Sequence, residues 1–339
     1  MEHRTSTFAF RPMGIGDLLD QAIYFYRTHF ISVIAYTALF VVPLSLLSAL
    51  PAMATPSLLL SDPFLLETNP ELFGASYLLS IFAIMFVGLL SAASFPLQVG
   101  GVGVALHGFL IEGRQVSLRE MIQQVRAQLS PLLGTGLLGL LLSAFALVFF
   151  ILPPVGLAIS TLYSFTLYFA IFVVLYEKRS GIEALRRGWL LVCSNAKRTV
   201  GYLALFLIFT MLIGAIIGGL IVGLAGVTLF LVENPLLYLV AQTIATTLTN
   251  VIMTPLQMSV AGLLYFDFRI RDEGLDVAFE TAQAAGEPFD LAAVPINDQP
   301  LLNDKTWRAI GILSAIYTGI LVLFCGGIMA IAFMGASLF

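Results

Sequence analysis

The sequence predicts an all-α integral membrane protein with about seven transmembrane helices, and three observations predict it. Apolar residues make up 59% of the chain and charged residues only 11%, against roughly 25% charged in a soluble domain. That leaves too few ions to coat a water-facing surface of this size. Apolar runs long enough to cross a bilayer, roughly 20 residues each, recur from end to end. Finally, all 16 lysines and arginines fall in alternate segments between those runs.

The elements follow in order. Residues 1–29 carry charges throughout, without the short apolar core or small-residue cleavage site of a cleaved leader, and read as a cytoplasmic N-terminus. Within them Ile15, Leu18, Leu19, Ala22 and Tyr26 line one face of a helix over 14–29, with Asp17 and Asp20 near its start. A window of about 19 residues then places spans near 30–50, 77–110, 131–152, 155–175, 199–231, 236–266 and 308–336. In lipid each must be helical, since an unpaired backbone group there costs several kcal/mol. Pro153-Pro154 breaks the run between the third and fourth spans, and Glu233-Asn234-Pro235 does so between the fifth and sixth. The runs 77–110 and 236–266 exceed the bilayer, so they tilt, kink or emerge from it, with Pro96 and Pro255 as the expected kinks.

Two further amphipathic helices are expected inside a six-span membrane domain over 30–271. In 117–129 the apolar Leu118, Met121, Ile122, Val125 and Leu129 recur at helical spacing, opposite Arg119, Glu120, Gln123, Gln124 and Arg126. In 180–197, Ser180 and Glu183 stand at capping-box spacing, Ile182, Leu185, Trp189 and Cys193 share a side, and Lys197-Arg198 close the helix. Both suit the membrane interface. Residues 272–307 are acidic, contain Pro288, Pro295 and Pro300, and read as a cytoplasmic linker to a seventh span in 308–339. One unit thus recurs over 14–112, 117–177 and 181–267: interfacial helix, span out, span in. The predicted architecture is three parallel helix-hairpin repeats plus one appended span. A shared string supports it, Pro96-Leu97-Gln98 with Gly103 and Pro255-Leu256-Gln257 with Gly262.

Charge sets the orientation. The segments 51–76, 153–154 and 232–235 carry no basic residue, only Asp62, Glu67, Glu71 and Glu233. By the positive-inside rule the N-terminus is cytoplasmic and the C-terminus outside.

Three stretches carry a family resemblance. They are Arg11-Pro12-Met13-Gly14-Ile15-Gly16-Asp17-Leu18-Leu19-Asp20 ahead of Tyr26-Arg27-Thr28-His29-Phe30, Gly181-Ile182-Glu183-Ala184-Leu185-Arg186-Arg187-Gly188-Trp189, and Leu264-Tyr265-Phe266-Asp267-Phe268-Arg269-Ile270-Arg271-Asp272-Glu273-Gly274-Leu275-Asp276. Together they resemble the membrane domain attached to some bacterial glycerophosphoryl diester phosphodiesterases, and its stand-alone relatives. The resemblance covers about residues 11–276. It implies a multi-pass protein of a bacterial plasma membrane, and a scaffold rather than a catalyst. In the fused proteins the chemistry belongs to a separate soluble barrel, which this chain has no segment to form.

No catalytic constellation stands out, and the protein is expected not to be an enzyme. The histidines are His3, His29 and His107; the last two sit near the inner interface, where packing or a headgroup bond explains them as well as base catalysis. Metal-ligand spacing is absent, no phosphate loop appears, and Gly100-Gly101-Val102-Gly103 lies inside a span where glycines admit a neighbouring helix. Cys193 and Cys325 lie in unlike settings, which argues against a disulfide. No cofactor or metal is expected.

The span centres hold no ionisable residue, while Glu112, Glu177 and Asp267 end inward spans at the cytoplasmic border. Two groups of polar residues remain as candidate sites. Lys178, Arg179, Arg186, Arg187, Lys197 and Arg198 are candidate binders of anionic headgroups, each worth roughly 1 kcal/mol near such a surface, or simply topology-setting charge. Ser160, Ser164 and Tyr168 in span four, with Gln242, Thr246, Thr249, Asn250 and Gln257 in span six, are a candidate polar groove, or side chains that bond neighbouring helices. The function read from the sequence is a non-enzymatic scaffold binding lipid or partner proteins at the inner leaflet. The rival is a transporter or lipid-moving protein using that groove. The partners implied are membrane lipids, anionic ones in particular, or a membrane or cytoplasmic protein; no nucleic acid is expected.

Overall fold

Long helices account for nearly everything the computed structural model describes, namely residues 11–54, 70–204, 211, 215–216, 218–219, 223, 235–287, 289–295 and 300–336. In chain order they are α1 (Ile15–Thr28), α2 (Phe30–Ala54), α3 (Pro70–Leu110), α4 (Leu118–Ala127), α5 (Leu129–Ala146) with a 3-10 turn at Leu147–Ile151, α6 (Pro153–Glu177), α7 (Ile182–Ser194), α8 (Pro235–Glu273), α9 (Leu275–Ala285) and α10 (Asp304–Ala336). Residues 196–204 are also helical. There is no strand among the described residues.

Six helices are long and apolar enough to cross a membrane: Phe30–Ala49, Leu78–Leu110, Leu129–Ile151, Pro153–Glu177, Val240–Glu273 and Asp304–Leu323. The expected fifth span, 199–231, lies for the most part outside the described residues, as do Asp62, Glu67 and the break at Glu233-Asn234. Pro153 and Pro154 do break the run between the third and fourth spans. They occupy the first positions of α6, where a missing N–H is harmless. Pro96 and Pro255 are carried inside the 41 residues of α3 and the 39 of α8.

The chain divides into two units. Gly16–Leu133 and Leu205–Val260 belong to the first; Ala9–Ile15, Gly134–Ala204 and Ala261–Phe339 form the second.

In the first unit α2 packs on α3. Tyr36 is buried and its hydroxyl donates to the Leu97 carbonyl at 2.8 Å. Gly101 makes this possible, because a Cβ there would lie 2.1 Å from the Tyr36 ring. Helix α4 follows the expected amphipathic pattern but is shorter than 117–129. Ser117 caps it by accepting from the Glu120 N–H, Met121 and Val125 are buried, and Ile122 and Leu129 are exposed. Arg114 grips Glu120 with two nitrogens, at 2.9 and 2.6 Å, and also pairs with Glu112. The buried face of α1 is Leu18, Ala22 and Phe25, rotated from the expected stripe and leaving Ile15 exposed. Aromatic stacking turns it: Phe25 lies against His29 and meets Phe109 edge-on at 5.4 Å.

In the second unit α6 is buried on all sides from Phe169 to Glu177, and residues 261–270 of α8 are likewise buried. Their faces meet through rings, Phe169 with Tyr265 and Phe268, and Tyr176 with Phe266. Helix α7 closes against α6 at Gly188, where a Cβ would come within 2.8 Å of the Thr166 carbonyl oxygen. Two expectations change here. The helix read as 180–197 runs Ile182–Ser194, and Ser180 does not cap it. Its N-cap is Gly181 at φ 61, reached after Lys178 takes the left-handed conformation. Nor does it present one apolar face to lipid, since Ala184, Leu185, Arg187, Gly188, Leu190, Leu191, Val192 and Cys193 are buried while Ile182 is exposed. Helix packing claims most of its circumference.

The acidic stretch 272–307 also differs from a plain linker. It forms α9 between Gly274 and Gly286, both at positive φ. Phe279 then meets Phe289 edge-on, and Leu275, Leu291 and Val294 are buried. Those apolar side chains dock a segment whose composition alone suggested solvent.

Candidate functional site

The sequence placed Glu177 and Asp267 as unremarkable charges at the ends of spans. In the second unit they anchor two buried ionic knots.

The first knot joins the end of α6 to α7 and α8. The Glu177 side chain is 1% exposed; it accepts from the Tyr265 hydroxyl at 2.7 Å and from Arg187 Nε at 3.2 Å, with Arg269 Nη1 at 3.7 Å. Glu273 accepts from Arg269 Nε at 2.8 Å and from Arg187 Nη2. Arg269 is completely buried and its remaining reach goes to the Leu291 carbonyl at 3.2 Å, which fastens the segment after α9. Two carboxylates and two guanidiniums make this knot neutral.

The second knot surrounds Asp267, whose side chain is 0% exposed. It accepts from Arg198 Nη1 at 3.0 Å, from Arg271 Nε at 3.1 Å and from the backbone N–H of Met13 at 2.8 Å. Arg198 and Arg271 also donate to the Met13 carbonyl, at 3.4 and 2.9 Å. Both backbone polar groups of Met13, ahead of α1, are thus held. With two arginines to one aspartate, this knot carries one positive charge in excess.

Between the knots opens a cavity of about 170 Å³, lined by Arg187, Ser194, Arg271, Asp272, Glu273 and Lys305, with Leu190 and Leu191 as its apolar wall. Asp272 accepts from Asn195 Nδ2 at 2.8 Å. Lys305 makes no hydrogen bond or ion pair among the described residues, though its charge acts on Asp272. Cys193, on the same helix as Arg187, is buried, and that burial pushes its thiol up to about 12.

The expected headgroup cluster is split. Lys178, Arg186 and Lys197 are exposed and Arg179 is half-buried. Arg187 is not at the surface at all: its side chain is 4% exposed and tied to Glu177 and Glu273. Arg198 is partly exposed and committed to Asp267. The physical reason is pairing, since a buried carboxylate needs a cation more than a headgroup does.

The expected groove residues are distributed over both units. Ser160, Ser164 and Tyr168 lie in the second unit, and Gln242, Thr246, Thr249, Asn250 and Gln257 in the first. Ser164 donates to the Ser160 carbonyl, Thr246 to those of Gln242 and Thr243, and Thr249 to that of Ala245. These hydroxyls spend their hydrogens on their own helix.

His107 Nδ1 lies 3.4 Å from a Glu112 oxygen. His29 is buried, and its pKa is lowered: burial outweighs the Phe25 and Arg114 carbonyls that favour the proton. Among the described residues no three His, Cys, Asp or Glu side chains converge to hold a metal ion.

A spacing signal for the knots was present: Asp267 with Arg271 and Arg269 with Glu273 are each four apart on one helix. What the pattern could not tell was that α7 and the irregular segment around Met13 cover them.

Fold and site together define an all-helical, multi-pass type of membrane chain with a charged, cavity-bearing end. No family model, no curated protein and no solved structure matches it.

Proposed function

We propose that this protein is a non-enzymatic membrane scaffold that binds lipid or a partner protein at the inner leaflet. The observation that carries the reading is the pair of ionic knots. Glu177, Glu273 and Asp267 are each held by two arginines, so none is left as a general base. What they support is a rigid platform with an excess of cations and the exposed Lys178, Arg186 and Lys197. The self-bonded hydroxyls of spans four and six weaken the rival reading of a transport groove.

On this reading the chain spans a bacterial plasma membrane seven times, N-terminus cytoplasmic and C-terminus outside. It belongs with the stand-alone relatives of the phosphodiesterase membrane domain, built as three parallel hairpin repeats and a final span. The occurrence of Pro96 and Pro255 inside the two longest helices supports the repeat. The test is purification in mild detergent, followed by identification of retained lipids and proteins at low and high salt. Anionic lipid enriched over the bulk membrane and shed at high salt, or a stoichiometric protein partner, supports the scaffold. Bulk lipid composition at every salt concentration with no partner would overturn it, and solute flux in sealed vesicles would favour the rival.

A further inference from the structure

We propose that the cavity between α7, the end of α8 and the start of α10 is a site for one phosphodiester monoanion, the group shared by phospholipid headgroups and soluble glycerophosphodiesters. This deepens the lipid-binding reading above and rests on it. The argument begins with unused donors. Arg187 spends Nε and Nη2 on Glu177 and Glu273, and Arg271 spends Nε and Nη2 on Asp267 and Met13. Among the described residues the Nη1 of each has no partner, nor has Lys305 Nζ or the Ser194 hydroxyl. All of these residues line the one cavity.

The carboxylates that engage the arginines also fix them. Each guanidinium is pinned along one edge, so its free nitrogen is held in place before a ligand arrives, and little side-chain entropy remains to be lost. Planar guanidiniums suit the oxygens of a phosphate.

The charge count selects the ligand class. The knot of Glu177, Glu273, Arg187 and Arg269 is neutral, Asp272 balances Lys305, and Asp267 with Arg198 and Arg271 leaves one positive charge. A phosphodiester carries one negative charge and closes the balance; a phosphomonoester dianion overshoots it. Asp272 has one oxygen engaged by Asn195, and its other oxygen is left to accept from a headgroup hydroxyl or ammonium beside the phosphate.

The test uses the full-length protein in mild detergent, delipidated, with native mass spectrometry and calorimetry. The probes are short-chain phosphatidylglycerol and its soluble headgroup, glycerophosphoglycerol. Two variants act on the cavity without touching either knot. Lys305→Gln removes a charged donor, and Ser194→Leu fills the space. A third, with Lys178, Arg186 and Lys197 all changed to Gln, removes only exposed charge. The parent should bind one phosphodiester per chain, with either cavity variant about 10- to 100-fold weaker. Binding of the lipid alone makes the membrane the source; equal binding of the soluble headgroup makes it the cytoplasm, and both support the site. If both cavity variants bind as the parent does, or no probe binds, the cavity is not the site. Loss confined to the triple variant likewise removes the cavity and leaves surface lipid binding standing.

Discussion

Replacing Glu177 with Gln tests the neutral knot most directly. The amide keeps the volume and the acceptor for the Tyr265 hydroxyl, so the change is one of charge. It leaves Arg187 and Arg269, both buried, with Glu273 as their shared carboxylate. At an effective dielectric of about 20, the contacts at 3.2 and 3.7 Å give about 5 and 4.5 kcal/mol of attraction. Against that gross loss of roughly 10 kcal/mol stand several kcal/mol no longer needed to desolvate a carboxylate. The net expected cost is about 3–5 kcal/mol, the usual result of orphaning one member of a buried ionic group. Unfolding of the protein in mixed micelles by increasing SDS, followed through Trp189 on α7 and Trp307 on α10, measures it. Adding Arg187→Gln removes the opposite charge, so the double variant should lose less than the sum of the singles, by about 0.5–3 kcal/mol. If Glu177→Gln unfolds within about 1 kcal/mol of the parent, the knot is not what holds α7 in place.

Three other perturbations have worked-out outcomes. Gly188→Ala should cost about 1–3 kcal/mol in the same assay, because the added carbon meets the Thr166 carbonyl at 2.8 Å and the Ala170 nitrogen at 3.1 Å, both backbone; unchanged stability would mean α7 can lift away freely. Cys193 should resist maleimide at neutral pH, its thiolate scarcer by on the order of a thousandfold with the thiol near 12, and react only after denaturation; rapid labelling of folded protein would contradict its burial. His29 has its pKa lowered by burial, so the unfolded chain takes up the proton first as pH falls. Its stabilising share is whole above about 6.5 and is lost as pH drops through the folded value. His29→Gln should therefore flatten the decline in stability between pH 7 and 5, measured by thermal unfolding; an unchanged slope would assign that decline to other groups.

The parts of the fold legible in the sequence were those that depend on a run or a period. Spans one to four, six and seven fall where apolar length places them, and Pro153-Pro154 ends one helix run and starts the next. Helix α4 was readable because Met121 and Val125 are buried against α2 and α3 as their spacing predicts. Helix α7 was misread for a definite reason. The pattern Ile182, Leu185, Trp189, Cys193 assumes one neighbour, whereas α6 and α10 both pack on it, and Gly188, off that stripe, brings α6 into close contact. Arg187 was legible as a cation but not as a buried one, because its partners stand 10 and 86 residues away. Nothing in a local pattern distinguishes it from the exposed Arg186 beside it.

That contrast bears on what the knots are for. A neutral buried group such as Glu177, Glu273, Arg187 and Arg269 can often be replaced by apolar residues of equal volume with no loss of stability. Holding α6 against α8 therefore does not by itself require ions, since the aromatic faces around Tyr265 already pack those two helices, and Gly188 brings α7 into close contact with α6. What apolar packing cannot do is hold a charged nitrogen still at the edge of a cavity. Glu177 and Glu273 fix Arg187, and Asp267 fixes Arg271, each with one nitrogen to spare, and both arginines line the same cavity of about 170 Å³. On the reading proposed above, the carboxylates serve as the supports of two donors, and the single surplus charge around Asp267 is the complement of the ligand rather than an imbalance. The arrangement then explains why the chain keeps ions where leucines would hold the helices as well.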